Sequence, residues 1–222
     1  MYKVVATDVD ATITDRYRRI IPEVIEAFRK LISKGVHIVL ISGNVAPVMF
    51  AYQNFLGIKD PAVAENGGIV LHRGNLYKYF TKEIPYRAYL HLKEKGVRGI
   101  RSLTDKWRET SIVIQRCDPE EVKNSLRGWN VRIETTGYGT HIMNREQSKL
   151  FGLKRVLEIL NCDLDEVIAF GDSENDVEMI KSSGLGVAVA NAWDVVKENA
   201  DKVAKKPYGY GVVEVLKEVG MI

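Results

Sequence analysis

Cysteine is scarce in this chain of 222 residues: Cys117 and Cys162 are the only two, with no CxxC pair and no nearby histidine at metal-ligand spacing. They argue neither for a disulfide framework nor for a zinc site, and a pair of buried thiols in a cytosolic protein is the expectation. An excess of one charge is lacking too. The 32 Lys and Arg stand against 29 Asp and Glu, a net +3, without a basic run of five, so composition gives no support to nucleic-acid binding. No apolar run approaches the length of a membrane span. Asp8 places a carboxylate too early for the apolar stretch of a secretion signal, and a cytoplasmic protein is expected. Repeats and low-complexity segments are missing as well. What is present is 45% hydrophobic and 27% charged, the profile of a soluble globular chain that can bury a real core.

Read along its length, the chain alternates. Lys3–Thr7 is short, apolar and β-branched, as a buried parallel strand is, and it stops at Asp8. Val24, Ile25, Phe28, Leu31 and Ile32 recur at helical spacing across Pro22–Ser33. A second strand, Val36–Ile41, leads through Ser42-Gly43-Asn44 to a helix over Ala46–Leu56, with Pro47 near its start and Gly57 past its end. Pro61–Ala64 reads as a third strand, and Ile69–His72 with Leu76–Tyr79 as a hairpin turned at Arg73-Gly74-Asn75. Strand–helix alternation of this kind signals a parallel sheet covered by helices.

The pattern then changes. Residues 80–147 read as a helix (Tyr86–Lys95), a strand (Ser111–Arg116), a helix capped by Asp118 with Pro119 first, and two strands, Val131–Thr135 and Thr140–Asn144. Alternation resumes with a helix capped by Ser148, a strand at Val167–Phe170, a helix near Asn175–Ser182, a strand at Leu185–Val189, a helix from Trp193 and a last helix over Val212–Val219. The expected fold class is α/β: a Rossmann-like core of residues 1–79 and 148–222 with helices on both sheet faces, interrupted by a small α/β unit at 80–147 with antiparallel pairing.

Four clusters sit where strands end or helices begin, which is where open parallel sheets bind ligands. Asp8 and Asp10 are two residues apart in extended chain and project to one side. A bound dication reconciles such a pair, and the two can divide the labour of nucleophile and acid/base; a polar loop with a Thr12 turn is the plainer alternative. Ser42-Gly43-Asn44 before a helix offers an anion cradle, as ordinary turns of this composition also do. Lys149 lies in the first turn of its helix, against the helix dipole, where a phosphate or a carboxylate cluster would explain it; a surface lysine would need no explanation. Gly171-Asp172-Ser173-Glu174-Asn175-Asp176 places hard oxygen ligands around a loop-to-helix turn, either for Mg²⁺ or as an acidic N-cap.

Taken together, the order and spacing of these clusters closely resemble the four motifs of the haloacid dehalogenase-like phosphohydrolase superfamily, over the core on both sides of the insert. The resemblance implies that Asp8 attacks phosphorus and forms an aspartyl-phosphate, and that Asp10 protonates the leaving group and then activates water. It implies Mg²⁺ held by Asp8, the backbone carbonyl of Asp10 and Asp172, with Asp176 supporting or joining them. Phosphoryl oxygens would be bound by Ser42, the Gly43 N–H and Lys149, with Asn175 behind them. One departure stands out: Ala11 occupies a position where the family usually has glycine, a strain on the loop if the backbone there is left-handed.

The insert resembles the larger cap type of the superfamily, and the compact cap and short chain look most like the archaeal phosphoglycolate phosphatases. That implies 2-phosphoglycolate, a small phosphorylated metabolite, as substrate, with a sugar-phosphate phosphatase or a phosphomutase of the same superfamily as alternatives. Neither nucleic acid nor membrane is an expected partner; a homodimer is left open. A carboxylate on the substrate would want a cation, and Arg98, Arg101, Lys106 and Arg108 are candidates ahead of Arg116 and Arg145. His141 reads as structural, and Tyr77, Tyr79, Phe80 and Tyr86 as packing for the hinge. A signalling receiver domain shares paired acids, a Thr and a Lys, but it is near half this length and has neither an insert nor a late acidic loop. A retired enzyme is disfavoured because Asp8, Asp10, Lys149, Asp172 and Asp176 are all present.

Overall fold

The structure, a computed structural model, describes residues 2–222, and its architecture follows from where the chain is apolar. β1 (Val4–Thr7) is buried at every position. α1 (Pro22–Ser33) opens on a proline whose φ suits a first helical turn, and buries Val24, Ala27, Phe28 and Leu31 along one stripe. It returns the chain to β2 (His37–Leu40), beside β1 and parallel to it. α2 (Ala46–Leu56) has Pro47 in its first turn and ends on Gly57 in the left-handed region, φ 69°.

The next strand departs from expectation. β3 (Ala62–Ala64) meets the parallel sheet only through an isolated bridge between Ile41 and Val63. Its ladder is antiparallel, with β4 (Ile69–His72), because Glu65–Gly67 form a tight 3₁₀ turn that folds the chain back on the strand it has just left. β5 (Asn75–Lys78) completes this small sheet. The turn before it is two residues long, Arg73 and Gly74 with φ of 49° and 78°, so Asn75 belongs to the strand.

The insert follows: α3 (Glu83–Glu94), β6 (Ile100–Arg101), β7 (Ser111–Gln115), α4 (Pro119–Ser125), β8 (Val131–Thr136) and β9 (Gly139–Asn144). α3 starts at Glu83 rather than Tyr86, since Pro85 falls in the first turn, where a missing N–H costs nothing. Asp118 caps α4, accepting from the Glu120 N–H at 2.9 Å. The four strands pair antiparallel in the order β6-β7-β9-β8. One face of that sheet, with Ile112, Ile114, Val131 and Ile142, buries itself against Ala88 and Leu92 of α3 and Val122 of α4, a cluster separate from the main core. The period of two sends Ser111, Glu134 and His141 to the opposite face.

α5 (Lys149–Leu160), β10 (Val167–Gly171), α6 (Val177–Ser182), β11 (Leu185–Ala188), α7 (Asp194–Asn199), β12 (Lys202–Val203) and α8 (Tyr208–Glu218) finish the chain. The five-stranded parallel sheet has the order β12-β11-β10-β1-β2 and is flanked by helices. β1 therefore lies between β2, which the chain visits first, and β10, which it reaches only after the insert. The crevice at the carboxyl ends of β1 and β10 is the switch point of the sheet.

The insert is tied to the core by a buried carboxylate. Glu65, 1% exposed, accepts from the backbone N–H groups of Glu109 (2.8 Å) and Thr110 (3.0 Å) and from the hydroxyls of Thr110 (3.0 Å) and Ser111 (2.7 Å). The Asn144 amide donates to the Thr81 carbonyl at 2.8 Å, joining the two ends of the insert. Of the aromatic residues expected at the hinge, Tyr79 and Phe80 pack on Phe151, with ring centroids 5.6 and 4.9 Å away. Tyr77 and Tyr86 remain largely exposed. The expected pair of buried thiols is corrected: Cys117 and Cys162 are both free and half-buried, because each follows the end of an element near the surface. Among the described residues no helix is long and apolar enough to cross a membrane.

Candidate active site

Asp8 is the first residue past β1, its N–H bonded to the Phe170 carbonyl of β10 at 3.0 Å, so its carboxylate stands in the switch-point crevice. Lys149 opens α5 behind the Ser148 cap, whose hydroxyl accepts from the Phe151 N–H at 3.1 Å. Its ammonium is 1% exposed and reaches Asp8 Oδ1 at 2.6 Å and Asp176 Oδ1 at 2.7 Å. Asp176 Oδ2 accepts from the backbone N–H groups of Asp172 and Ser173, both at 3.1 Å. Asp172 accepts from Thr12 Oγ1 at 3.0 Å and from Ser173 Oγ at 2.9 Å. Asp8 Oδ2 has no protein partner among the described residues.

The electrostatics of this cluster are lopsided. Burial pulls the Lys149 ammonium down, but Asp176 and Asp8 outweigh it and hold it above an ordinary lysine. Burial pushes the Asp8 carboxyl well up; Lys149 opposes this, and Asp176, Asp172 and Asp10 add to it. Asp172 is pushed up to about 6, by burial first and Asp176 second. Three carboxylates share one ammonium, and Asp8, Asp172 and Asp176 can bring an oxygen each to within 4.8 Å of one another. Hard oxygen donors short of positive charge suit a small dication. Asp176 faces an ammonium and two backbone N–H groups, whereas Asp172 is held only by the hydroxyls of Thr12 and Ser173, which can turn away, and Asp8 Oδ2 is open.

The second motif lies alongside. Ser42 Oγ accepts from the Asn44 N–H (3.1 Å) and from Asn44 Nδ2 (3.0 Å), so the hydroxyl proton is left to donate into the cleft. Asn44 Nδ2 also donates to Asp10 Oδ2 at 2.7 Å and holds that carboxylate at the rim. Gly43 is tightly enclosed: a Cβ would stand 3.0 Å from Asn66 Oδ1 and 3.1 Å from His141 Cε1, so both side chains would have to give way. Asn175 Nδ2 donates to Asn66 Oδ1 at 3.0 Å, and Asn66 Nδ2 donates to His141 Nδ1 at 3.3 Å. His141 therefore carries its proton on Nε2, 3.3 Å from Thr136 Oγ1. Burial first, then Arg108 and Lys149, depress its pKa well below the ordinary histidine value and keep the ring neutral.

Asp8, Asp10, Ser42, Gly43, Lys149 and Asp172 thus line one cleft of about 380 Å³, with Asp176 directly behind Lys149. The cations expected from the insert are placed elsewhere. Arg108, 4% exposed, donates to the Gly43 carbonyl at 3.0 Å from outside the cleft, and Arg98, Arg101, Lys106, Arg116 and Arg145 do not line it. The sequence reading missed Arg16, Arg18, Thr136 and Tyr138 as lining residues, included Asn44 in its anion cradle, and took His141 as structural. For His141 a signal existed: its alternation with Ile142 puts it on the face away from the apolar cluster of the insert. A larger groove of about 1170 Å³, bordered by Phe50, Leu76 and Trp107, contains none of the motif residues.

A fold and site of this kind define an α/β protein with a cluster of acids and a lysine at the switch point of its parallel sheet. The chain belongs to the haloacid dehalogenase-like hydrolases, whose family model matches residues 5–111 and 105–216. Within that family it stands with the phosphoric monoester hydrolases. It is 36% identical to the phosphoglycolate phosphatase of Thermoplasma acidophilum, with 98% of each chain covered, and 34% identical to that of Archaeoglobus fulgidus, covering 99% of this chain and 98% of the other. A crystal structure of a Thermoplasma acidophilum protein matches 100% of both chains with a TM-score of 0.91 at 34% identity. A subclass IIB sugar phosphatase of the superfamily matches 99% of this chain and 100% of its own with a TM-score of 0.84; at 21% identity this is a likeness of fold alone.

Proposed function

We propose that this protein hydrolyses 2-phosphoglycolate to glycolate and phosphate through an aspartyl-phosphate on Asp8. The observation that carries the reading is the state of the Asp8 carboxylate: Oδ1 is held by Lys149 at 2.6 Å, while Oδ2 is free at the end of the central strand. Oδ2 would attack phosphorus as the ester oxygen leaves, and Asp10, held by Asn44, would give that oxygen its proton. Asp10 would then take a proton from a water that attacks the same phosphorus, releasing phosphate and freeing Asp8. Ser42 Oγ and the Gly43 N–H would donate to phosphoryl oxygens, with Lys149 neutralising their charge. Asp8, the Asp10 carbonyl and Asp172 would hold Mg²⁺, with Asp176 orienting Lys149 and the loop that carries Asp172. The ion would supply the charge neutralisation that phosphoryl transfer needs. Residues 80–147 would act as the cap of a core formed by 1–79 and 148–222, and the substrate would be a small metabolite, in keeping with the 380 Å³ cleft.

The test is phosphate release from 2-phosphoglycolate, several sugar phosphates and an aryl phosphate, with Mg²⁺ or chelator. Asp8→Asn is expected to lose about a thousand-fold or more of the Mg²⁺-dependent rate while keeping its far-UV circular dichroism. A sugar phosphate preferred over 2-phosphoglycolate would sink the substrate assignment and leave the chemistry standing. Turnover that survives Asp8→Asn would sink the chemistry.

A further inference from the structure

A carboxylate at the far end of the substrate needs a positive partner, and most cations of the insert already have other work. Arg101 and Lys82 both reach Asp105. Arg132 spans Glu134 (2.6 Å) and Glu178 (2.7 Å), and Arg108 faces the Gly43 carbonyl. Three cationic side chains line the cleft itself: Lys149, Arg16 and Arg18. Lys149 is taken by Asp8 and Asp176. The other two stand on the loop that leaves Asp10.

That loop is built rigidly. Asp15 Oδ1 accepts from the backbone N–H groups of Tyr17 (2.8 Å) and Arg19 (3.0 Å), and Asp15 Oδ2 from Arg19 Nε (2.8 Å). At its tip Arg18 sits at φ 62°, a conformation that a residue with a Cβ adopts only at a cost. The result is that its side chain lies across the mouth of the cleft. Nε is 3.9 Å from Asp10 Oδ1, and Cζ is 5.6 Å from the ring centroid of Tyr138, in the turn between β8 and β9. The Arg18 guanidinium makes no hydrogen bond to a protein acceptor among the described residues, so its fork of donors is left for a ligand.

We propose that Arg18, seconded by Arg16, receives the carboxylate of the phosphate ester, so that a loop of the core rather than the insert reads the second charge of the substrate. Tyr138 stands over one side of the guanidinium from the insert and limits the directions in which the exposed side chain can turn. This inference rests on the phosphatase reading above and deepens it.

The experiment compares kcat/KM for 2-phosphoglycolate with that for ethyl phosphate, which has the same two-carbon frame and no carboxylate. Arg18→Gln is expected to lower the value for 2-phosphoglycolate about ten-fold or more, chiefly through KM, while ethyl phosphate changes less than about three-fold. Arg18→Lys, which keeps the charge and loses the fork, should fall between the two. An equal loss on both esters would place the action of Arg18 on Asp10 or the phosphoryl group and overturn the proposal, as would no loss on either. Wild-type enzyme that releases phosphate from neither ester takes down the function reading and this inference together. Wild-type turnover with an unchanged ratio in Arg18→Gln takes down this inference alone.

Discussion

Ala11 holds φ 59°, the left-handed region, between the two acids of the first motif and the turn that follows. Its N–H donates to Thr14 Oγ1 at 2.9 Å, and its carbonyl accepts from Asn191 Nδ2 at 2.9 Å, so the conformation is enforced from both sides. Ala11→Gly removes the Cβ clash and is expected to stabilise the protein by about 1 kcal/mol with activity retained. Urea unfolding of the two forms checks the first part, and a large loss of turnover would show the loop to be misread. Residues whose chemistry is written in their type were legible: Asp8, Lys149, Asp172 and Asp176 are acids and a lysine at strand and helix ends. Arg18 was not, and His141 only in part, since its alternation with Ile142 shows its face but not its partner. Nothing local to His141 announces that Asn66, far away in sequence, orients its ring, and Arg18 stands in a polar loop where arginines are ordinary.

At the scale of elements, the joints matter more than the strands. Glu65 collects four donors from residues 109–111 at the start of β7, three of them buried and the Glu109 N–H partly so. Glu65→Ala strands them, and the expected loss of stability is about 3 kcal/mol by denaturant unfolding. A loss under about 1 kcal/mol would mean that water replaces the carboxylate. A second joint places Lys149. A Cβ on Gly152, one turn further along α5, would stand 2.4 Å from Val63 Cγ1 and 2.8 Å from Gly67 Cα. Gly152→Ala therefore pushes the helix off the 65–67 turn, and kcat is expected to fall about ten-fold or more even where the fold survives. Helix starts with strong signals were readable from sequence, including the Ser148 and Asp118 caps. The two-residue edge strands β6 and β12 were not, since pairs such as Ile100–Arg101 and Lys202–Val203 carry no periodicity. α8 was read as starting at Val212 because Gly209 and Gly211, inside its first turns, look like loop.

For the molecule as a whole, the acidic cluster sets how stability responds to pH and to metal. Asp172 is raised to about 6 from an ordinary 3.8, and Asp8 is raised too, so the folded chain holds these protons more tightly than the unfolded one. That contribution is fully present below about pH 4 and is lost as pH rises through about 6. A dication bound by the ionised carboxylates restores it. The gain in Tm from Mg²⁺ over chelator is thus expected to be larger at about pH 7.5 than at about pH 4.5, by differential scanning fluorimetry. Equal gains at both values would place the ion elsewhere. The parallel sheet and its flanking helices were legible because strand and helix alternate on both sides of residues 80–147. The antiparallel turn-back after Ala64 was not, because it depends on Glu65 and Asn66 taking positive φ without being glycine.

One contact at the foot of the insert reaches furthest. Thr81 and Asn144 are a single hydrogen bond apart, so the whole excursion leaves and rejoins the core through one doorway. Cut at the doorway, the insert leaves ends close enough for a short turn to bridge, but the cut also removes the partners of Glu65, the Gly43 carbonyl and Asn66, so a cassette spliced in there must bring its own. On the reading proposed for Arg18, such a chimera would keep that arginine, which travels with the core, and with it a preference for carboxylated esters. Substrate size and substrate charge would then be inherited from different parents.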